Sequence, residues 1–218
     1  MTIDPHPIPT DPARPGAAHD GTTERILSAA VQVYAEAGFR GTTTRRIAQE
    51  AGVNEITLFR QFGTKEALVK AALARGYQEA VPVVLNEPVD PPAELFAWAW
   101  STYSHWFEGR HVISRVLGDL AEHPELAPDV CEEPECKHGM VSAYFARMKA
   151  QGLAPAEFLP DAVAGMLMGA IFSHAIWREH FATPDLPPAE MVIRHYVDLV
   201  LASVGFTPRT AAKAQRHA

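Results

Sequence analysis

The chain has 218 residues, 47% of them hydrophobic and 21% charged, with a formal net charge of −7. That is enough apolar material for a sizeable core, as one larger domain or as a small domain joined to a larger one. No apolar run is long enough to cross a bilayer, no basic stretch followed by an apolar one opens the chain, and two cysteines make no disulfide framework. The expectation is a cytoplasmic protein with no membrane partner. The charge is uneven: residues 23–75 carry eight Lys and Arg against five Asp and Glu, and residues 76–218 carry ten against eighteen. A basic segment on an acidic body suits a polyanion at one end only.

In chain order, residues 1–22 hold five prolines and almost no large apolar residue, which reads as a disordered tail. From Thr23 the spacing turns helical, with Ile26, Ala30, Val33, Tyr34 and Ala37 on one face and Gly38 as the stop. A second helix follows Thr43 and ends at Gly52; a third follows Asn54 and ends at Phe62; a fourth follows Thr64. Two short helices joined by a turn on glycine form a helix-turn-helix arrangement. Ile47, Ala48, Val53, Leu58 and Phe62 form its shared inner face. Glu55, Ile56, Phe59, Arg60 and Gln61 lie outward, with Thr57 at the edge, where a DNA major groove would receive them. Arg favours guanine edges, Gln adenine edges, and Glu can accept from cytosine.

The run Thr43-Thr44-Arg45-Arg46-Ile47-Ala48-Gln49-Glu50-Ala51-Gly52-Val53, then Thr57-Leu58-Phe59, Phe62 and Lys65-Glu66-Ala67-Leu68, resembles the DNA-binding segment of TetR-family transcriptional regulators. The resemblance covers residues 23–75. It implies that Thr43 and Thr44 lie beside the DNA backbone, that Arg45 reaches a base, and that Lys65 seats a phosphate with its helix N-terminus. Phe59 stands where the family usually has a tyrosine that hydrogen-bonds phosphate; it keeps the ring and lacks the hydroxyl. The expected DNA-contacting set is Thr43, Thr44, Arg45, Arg46, Asn54, Glu55, Ile56, Thr57, Phe59, Arg60, Gln61, Thr64 and Lys65. The resemblance further implies a homodimer on a palindromic double-stranded DNA operator, most often a repressor, released by a small-molecule effector.

Residues 76–218 show no strand-like alternation, so the whole chain reads as all-α with about nine helices. Residues 92–108 are rich in aromatics, and apolar side chains point several ways round, so this helix is expected to be central and nearly fully buried. Further helices are expected near 111–122, 137–151, 159–181 and 188–204. The last two carry Gly165, Gly169 and Ala170, and then Met191, Tyr196 and Leu199, and suit half of an intersubunit bundle. Tyr103, Trp106 and Phe107, facing Met140, Tyr144 and Met148 with Phe172 and His174, are candidate lining for an apolar or aromatic ligand. The alternative for each of these is plain core.

Cys131, Cys136 and His138 fall within eight residues, a spacing with no second cysteine pair; a solvated acidic loop is expected, with no metal and no cofactor. No phosphate loop, HExxH or nucleophile elbow is present, so no catalytic residues are assigned. Two other readings stay open: an interaction module with weakened DNA binding, on the strength of Phe59 and Glu55, and a thiol-responsive regulator using Cys131 and Cys136.

Overall fold

The computed structural model describes residues 15–78, 83–180 and 186–207. The expected all-α architecture is found: nine α-helices and no strand among the described residues. The chain divides into two compact units, with the break inside the fourth helix between Ala72 and Leu73.

In the first unit, α1 runs Pro15–Gly41, α2 Thr44–Ala51 and α3 Glu55–Phe62; α4, Lys65–Gln78, begins here. Helix α1 starts eight residues before the expected Thr23. Pro15 suits a first helical turn, whose N–H groups have no partner, and Ala17 and Ala18 favour the helix that follows. The rest of the proline-rich tail lies outside the described residues. At Gly38 the backbone turns to φ 66°, and the helix proper stops there as the sequence predicts. The Thr42 hydroxyl donates to the Gly38 carbonyl at 2.7 Å and seals the break.

The turn between α2 and α3 follows from one residue. Gly52 takes a left-handed conformation, φ 64° and ψ 39°. Its N–H donates to Gln49 O, and the Val53 N–H donates to Ala48 O, so the last carbonyls of α2 are satisfied by a paired C-terminal cap. Thr43 caps the start of α2 by accepting from the Arg46 N–H, and Asn54 caps α3 by accepting from the Ile56 N–H. Ile47, Ala48, Ala51 and Leu58 are buried together against Ile26, Ala30 and Val33 of α1 and Leu68 and Ala72 of α4.

The second unit contains α5 (Pro91–Glu108), α6 (Arg110–Asp119), α7 (Ala127–Ala150), α8 (Pro160–Trp177) and α9 (Ala189–Ser203). Helix α5 buries Leu95, Trp98, Ala99, Thr102, Tyr103 and Trp106 along one side. This corrects the expectation of a central, nearly fully buried helix: Phe96, Trp100 and Phe107 are half-buried, and Ala93, Ala97 and Glu108 are exposed. The middle of the unit is α8, which packs against α5, α6, α7 and α9. Its apolar residues surround the axis, which lets it serve several neighbours at once.

Helix α7 corrects a second expectation. Residues 127–136 are helical rather than a loop, and Pro134 lies inside the helix. A 3₁₀ turn at Pro124–Leu126 leads in, and Pro128 falls in the first turn, where proline costs nothing. Pro134 gives up one helical hydrogen bond, a local loss that the rest of a 24-residue helix outweighs.

A buried hydroxyl locks α5 to α7. The Tyr144 hydroxyl donates to the Glu94 carboxylate at 2.5 Å, and the Val89 and Asp90 N–H groups donate to it as well. Desolvation alone would raise the Glu94 pKa, but these donors outweigh it and the net shift is downward from the ordinary value of 4.5. Burial, and then the Glu94 charge, push the Tyr144 hydroxyl up.

Two predictions follow from these elements. Gly52→Ala forces a Cβ into the left-handed region, where open space does not relieve the strain, and should cost about 1 kcal/mol in chemical denaturation. A depressed carboxyl contributes stability that is present above its unfolded value near 4.5 and lost as pH falls through the folded value. Glu94→Gln should therefore flatten the acid limb of a plot of urea midpoint against pH.

Candidate nucleic-acid interface

The outer surface of the first unit is built from the N-terminal turn of α2, the length of α3 and the start of α4. Helix α3 is only eight residues long, so one buried anchor fixes it: Leu58, 1% exposed, points into the unit. Counting round the helix from that anchor turns Ile56, Phe59 and Arg60 outward. Ile56 is 73% and Phe59 51% exposed, and Arg60 is exposed beside them.

The polar side chains of the same surface divide into two groups. Arg45 and Arg60 are exposed and have no ion pair or side-chain hydrogen bond among the described residues. The others are engaged within the unit. The Thr44 hydroxyl donates to the Glu55 carboxylate at 2.5 Å, joining the first turns of α2 and α3. Gln61 donates to the Thr23 hydroxyl of α1. Arg46 pairs with Glu36 of α1, and both side chains are about half exposed (46% and 53%). A pair that exposed is worth about 0–1 kcal/mol and exchanges readily with another anion.

Lys65 is held more firmly. Its ammonium donates to the Phe39 carbonyl at 3.0 Å and lies 4.2 Å from the centre of the Phe39 ring. It stands in the first turn of α4, where Thr64 caps the helix by accepting from the Ala67 N–H. A fixed cation at a helix N-terminus makes a positive seat for an anion.

The expected DNA-contacting residues therefore fall into three kinds. Arg45, Ile56, Phe59 and Arg60 are outward and uncommitted. Thr43, Asn54 and Thr64 are spent on capping. Thr44, Arg46, Glu55, Gln61 and Lys65 have partners within the unit, and Thr57 is half-buried at the helix edge. Sequence reasoning did not find the residues that hold this second set in place. Thr23, Glu36 and Phe39 are 10 to 38 residues from their partners, and nothing in local spacing signals them.

The candidate ligand-lining residues separate in the second unit. Tyr144 and Met148 are fully buried, and Tyr103 and Trp106 nearly so; all four are core. Tyr103 stacks on Phe107 at 5.6 Å and meets His174 at the same distance, while Trp106 meets Phe172 edge-on at 5.3 Å. Met140 packs half-buried against the same core. The His174 Nε2 lies 2.8 Å from the Arg178 guanidinium. Burial first, and then the Arg178 charge, lower the His174 pKa, so the ring is neutral near pH 7 and accepts from Arg178. A shallow groove elsewhere is lined by Val83, Leu85, Glu94 and Ala97, none of which the sequence reading selected.

Both cysteines fall on α7. Cys131 and Cys136 are five residues apart on α7, about 7.5 Å along the axis. That lies beyond the Cα separation a disulfide tolerates. Cys136 is exposed, and no metal-binding cluster is found among the described residues.

Residues 26–72 match the family model of bacterial regulatory proteins, tetR family. The chain is 26% identical to the uncharacterized HTH-type transcriptional regulator YvkB of Bacillus subtilis, over 84% of this chain and 97% of that one. It is 23% identical to the HTH-type transcriptional repressor KstR2 of Mycolicibacterium smegmatis, over 96% and 99%. Its fold is similar to a solved structure assigned to the TetR family from Mesorhizobium loti, with a TM-score of 0.68 and 18% identity over 88% and 97% of the two chains.

The Thr44–Glu55 bond generates one prediction here. Thr44→Val keeps the shape and removes the donor, leaving a half-buried carboxylate short of a partner; it should lower thermal stability by about 1 kcal/mol, while Thr44→Ser should not.

Residues 26–72 thus carry a head of the bacterial tetR regulatory type, and along most of its length the chain is similar to HTH-type transcriptional regulators and shares their all-helical fold.

Proposed function

We propose that the protein is a dimeric repressor that binds a two-fold-symmetric operator and leaves it when a small apolar or aromatic ligand enters the second unit. The observation that carries the DNA half is the outward face of α3, flanked by the unpaired Arg45 and Arg60 and by the tethered Lys65. In this reading residues 23–75 read DNA in the cytoplasm, and residues 76–218 dimerise and take the ligand. The resemblance to KstR2, which is named a repressor, supports repression.

The dimer half rests on α8 and α9. Met166 is 62% exposed and Met191 61%, with Trp177 and Leu199 about half exposed, and Gly165 and Gly169 of α8 are exposed as well. Small residues beside large apolar ones on two adjoining helices suit a partner helix pair. The half-buried Phe107, Phe172 and His174 beside the core of the second unit support a flat or apolar effector.

Fluorescence anisotropy with duplex DNA from upstream of the protein's own gene, at two salt concentrations, tests the reading. Arg60→Ala should weaken specific binding about 10- to 100-fold and relax selectivity. Lys65→Ala should weaken it on all sequences alike and lower the salt slope by about one. Met166→Glu combined with Leu199→Lys should yield a monomer in sedimentation that no longer holds the duplex. Unchanged binding in all of these variants sinks the assignment.

A further inference from the structure

The reading face of α3 is short of hydrogen-bonding groups, and this bears on what it reads. Base edges in the major groove are recognised by hydrogen bonds or by apolar contact with the thymine methyl. Of the polar side chains on α3, Glu55 is tied to Thr44, Gln61 to Thr23, and Thr57 is half-buried. What remains outward is Arg60 and two bulky apolar side chains, Ile56 and Phe59. An isoleucine left 73% exposed on a helix of eight residues contributes nothing to the core, which Leu58 already anchors. The two are three positions apart, so they lie side by side on one face. They are displaced by about 4.5 Å along the axis, against about 3.4 Å between successive base pairs.

Building on the DNA-binding role above, we infer that Ile56 and Phe59 are specificity residues that read the 5-methyl groups of two thymines, adjacent or one base pair apart, in each operator half-site. Neither side chain can bond a base edge, so each discriminates only through the methyl it covers. Arg60, exposed on the same helix, supplies the polar part of the same recognition, and Arg45 the charge on the neighbouring helix. Glu55 acts through Thr44 as a positioning residue: it holds the first turn of α3 at its distance from α2 and does not touch DNA.

The experiment starts from a random pool of duplexes, selected on the full-length protein at moderate salt. Each thymine of the selected half-site is then replaced by uracil, which removes the methyl and nothing else. The expected result is a loss of about fourfold in affinity at each of two neighbouring positions, the effect of one methyl leaving an apolar contact, and little at the others. Ile56→Ala should abolish the uracil effect at one position and Phe59→Ala at the other; both residues are exposed, so both variants keep their fold. A selected sequence with no uracil-sensitive position overturns the inference and leaves the DNA-binding role standing. Sensitivity that persists in both variants overturns it as well, since other residues then read the methyls. If no sequence emerges from the pool, the DNA-reading role fails first and the inference with it.

Discussion

The left-handed turn at Gly52 sets the direction in which α3 leaves α2, and every outward side chain of α3 depends on it. The turn is compact because two backbone bonds close on Ala48 and Gln49 at once, and because Ala48 and Ala51 leave room for α3 to approach. With the direction fixed, Leu58 sets the rotation of α3 about its own axis. The Thr44–Glu55 bond then holds the two first turns together from outside. Three modest interactions thus define an eight-residue helix that has too little length to be stable alone.

The two units solve different physical problems. The first is small and spends much of its polar surface on internal caps and bridges, so that a few groups are presented outward in fixed positions. The second is larger, with α8 running through its middle and aromatic side chains filling the space round it. Its charge excess is negative, which keeps the positive potential concentrated on the head.

Most of the head was legible in the sequence because its determinants are local. Thr43, Gly52 and Asn54 act within three or four residues of themselves, and short-range spacing reveals them. The start of α1 was not legible, since prolines that mark a loose tail also suit a first helical turn, and Pro15 does the latter. The same ambiguity hid the first part of α7, where Pro134 and a run of glutamates suggested a loop. Within the site, the outward placing of Ile56, Phe59 and Arg60 could be read from periodicity, and Arg45 from the resemblance. The commitments of Gln61, Arg46 and Lys65 could not, because each depends on a residue of another segment that only the folded chain brings near. The pocket residues failed to separate from core for a related reason: an aromatic that lines a cavity and one that fills a core carry the same pattern.

The tether on Lys65 bears on how this surface meets an anion. A lysine on an open surface samples many rotamers, and fixing it costs up to about 2 kcal/mol of entropy. Here the Phe39 carbonyl and ring have already restricted the chain during folding. An oxyanion brought here would find the charge in place and need not order it, so its attraction would be opposed by less lost freedom than a free lysine would impose. The end of α1 thereby restrains the start of α4 through a single ammonium, and a substitution at Phe39 would remove the ring, leave the carbonyl and give the lysine back part of its freedom.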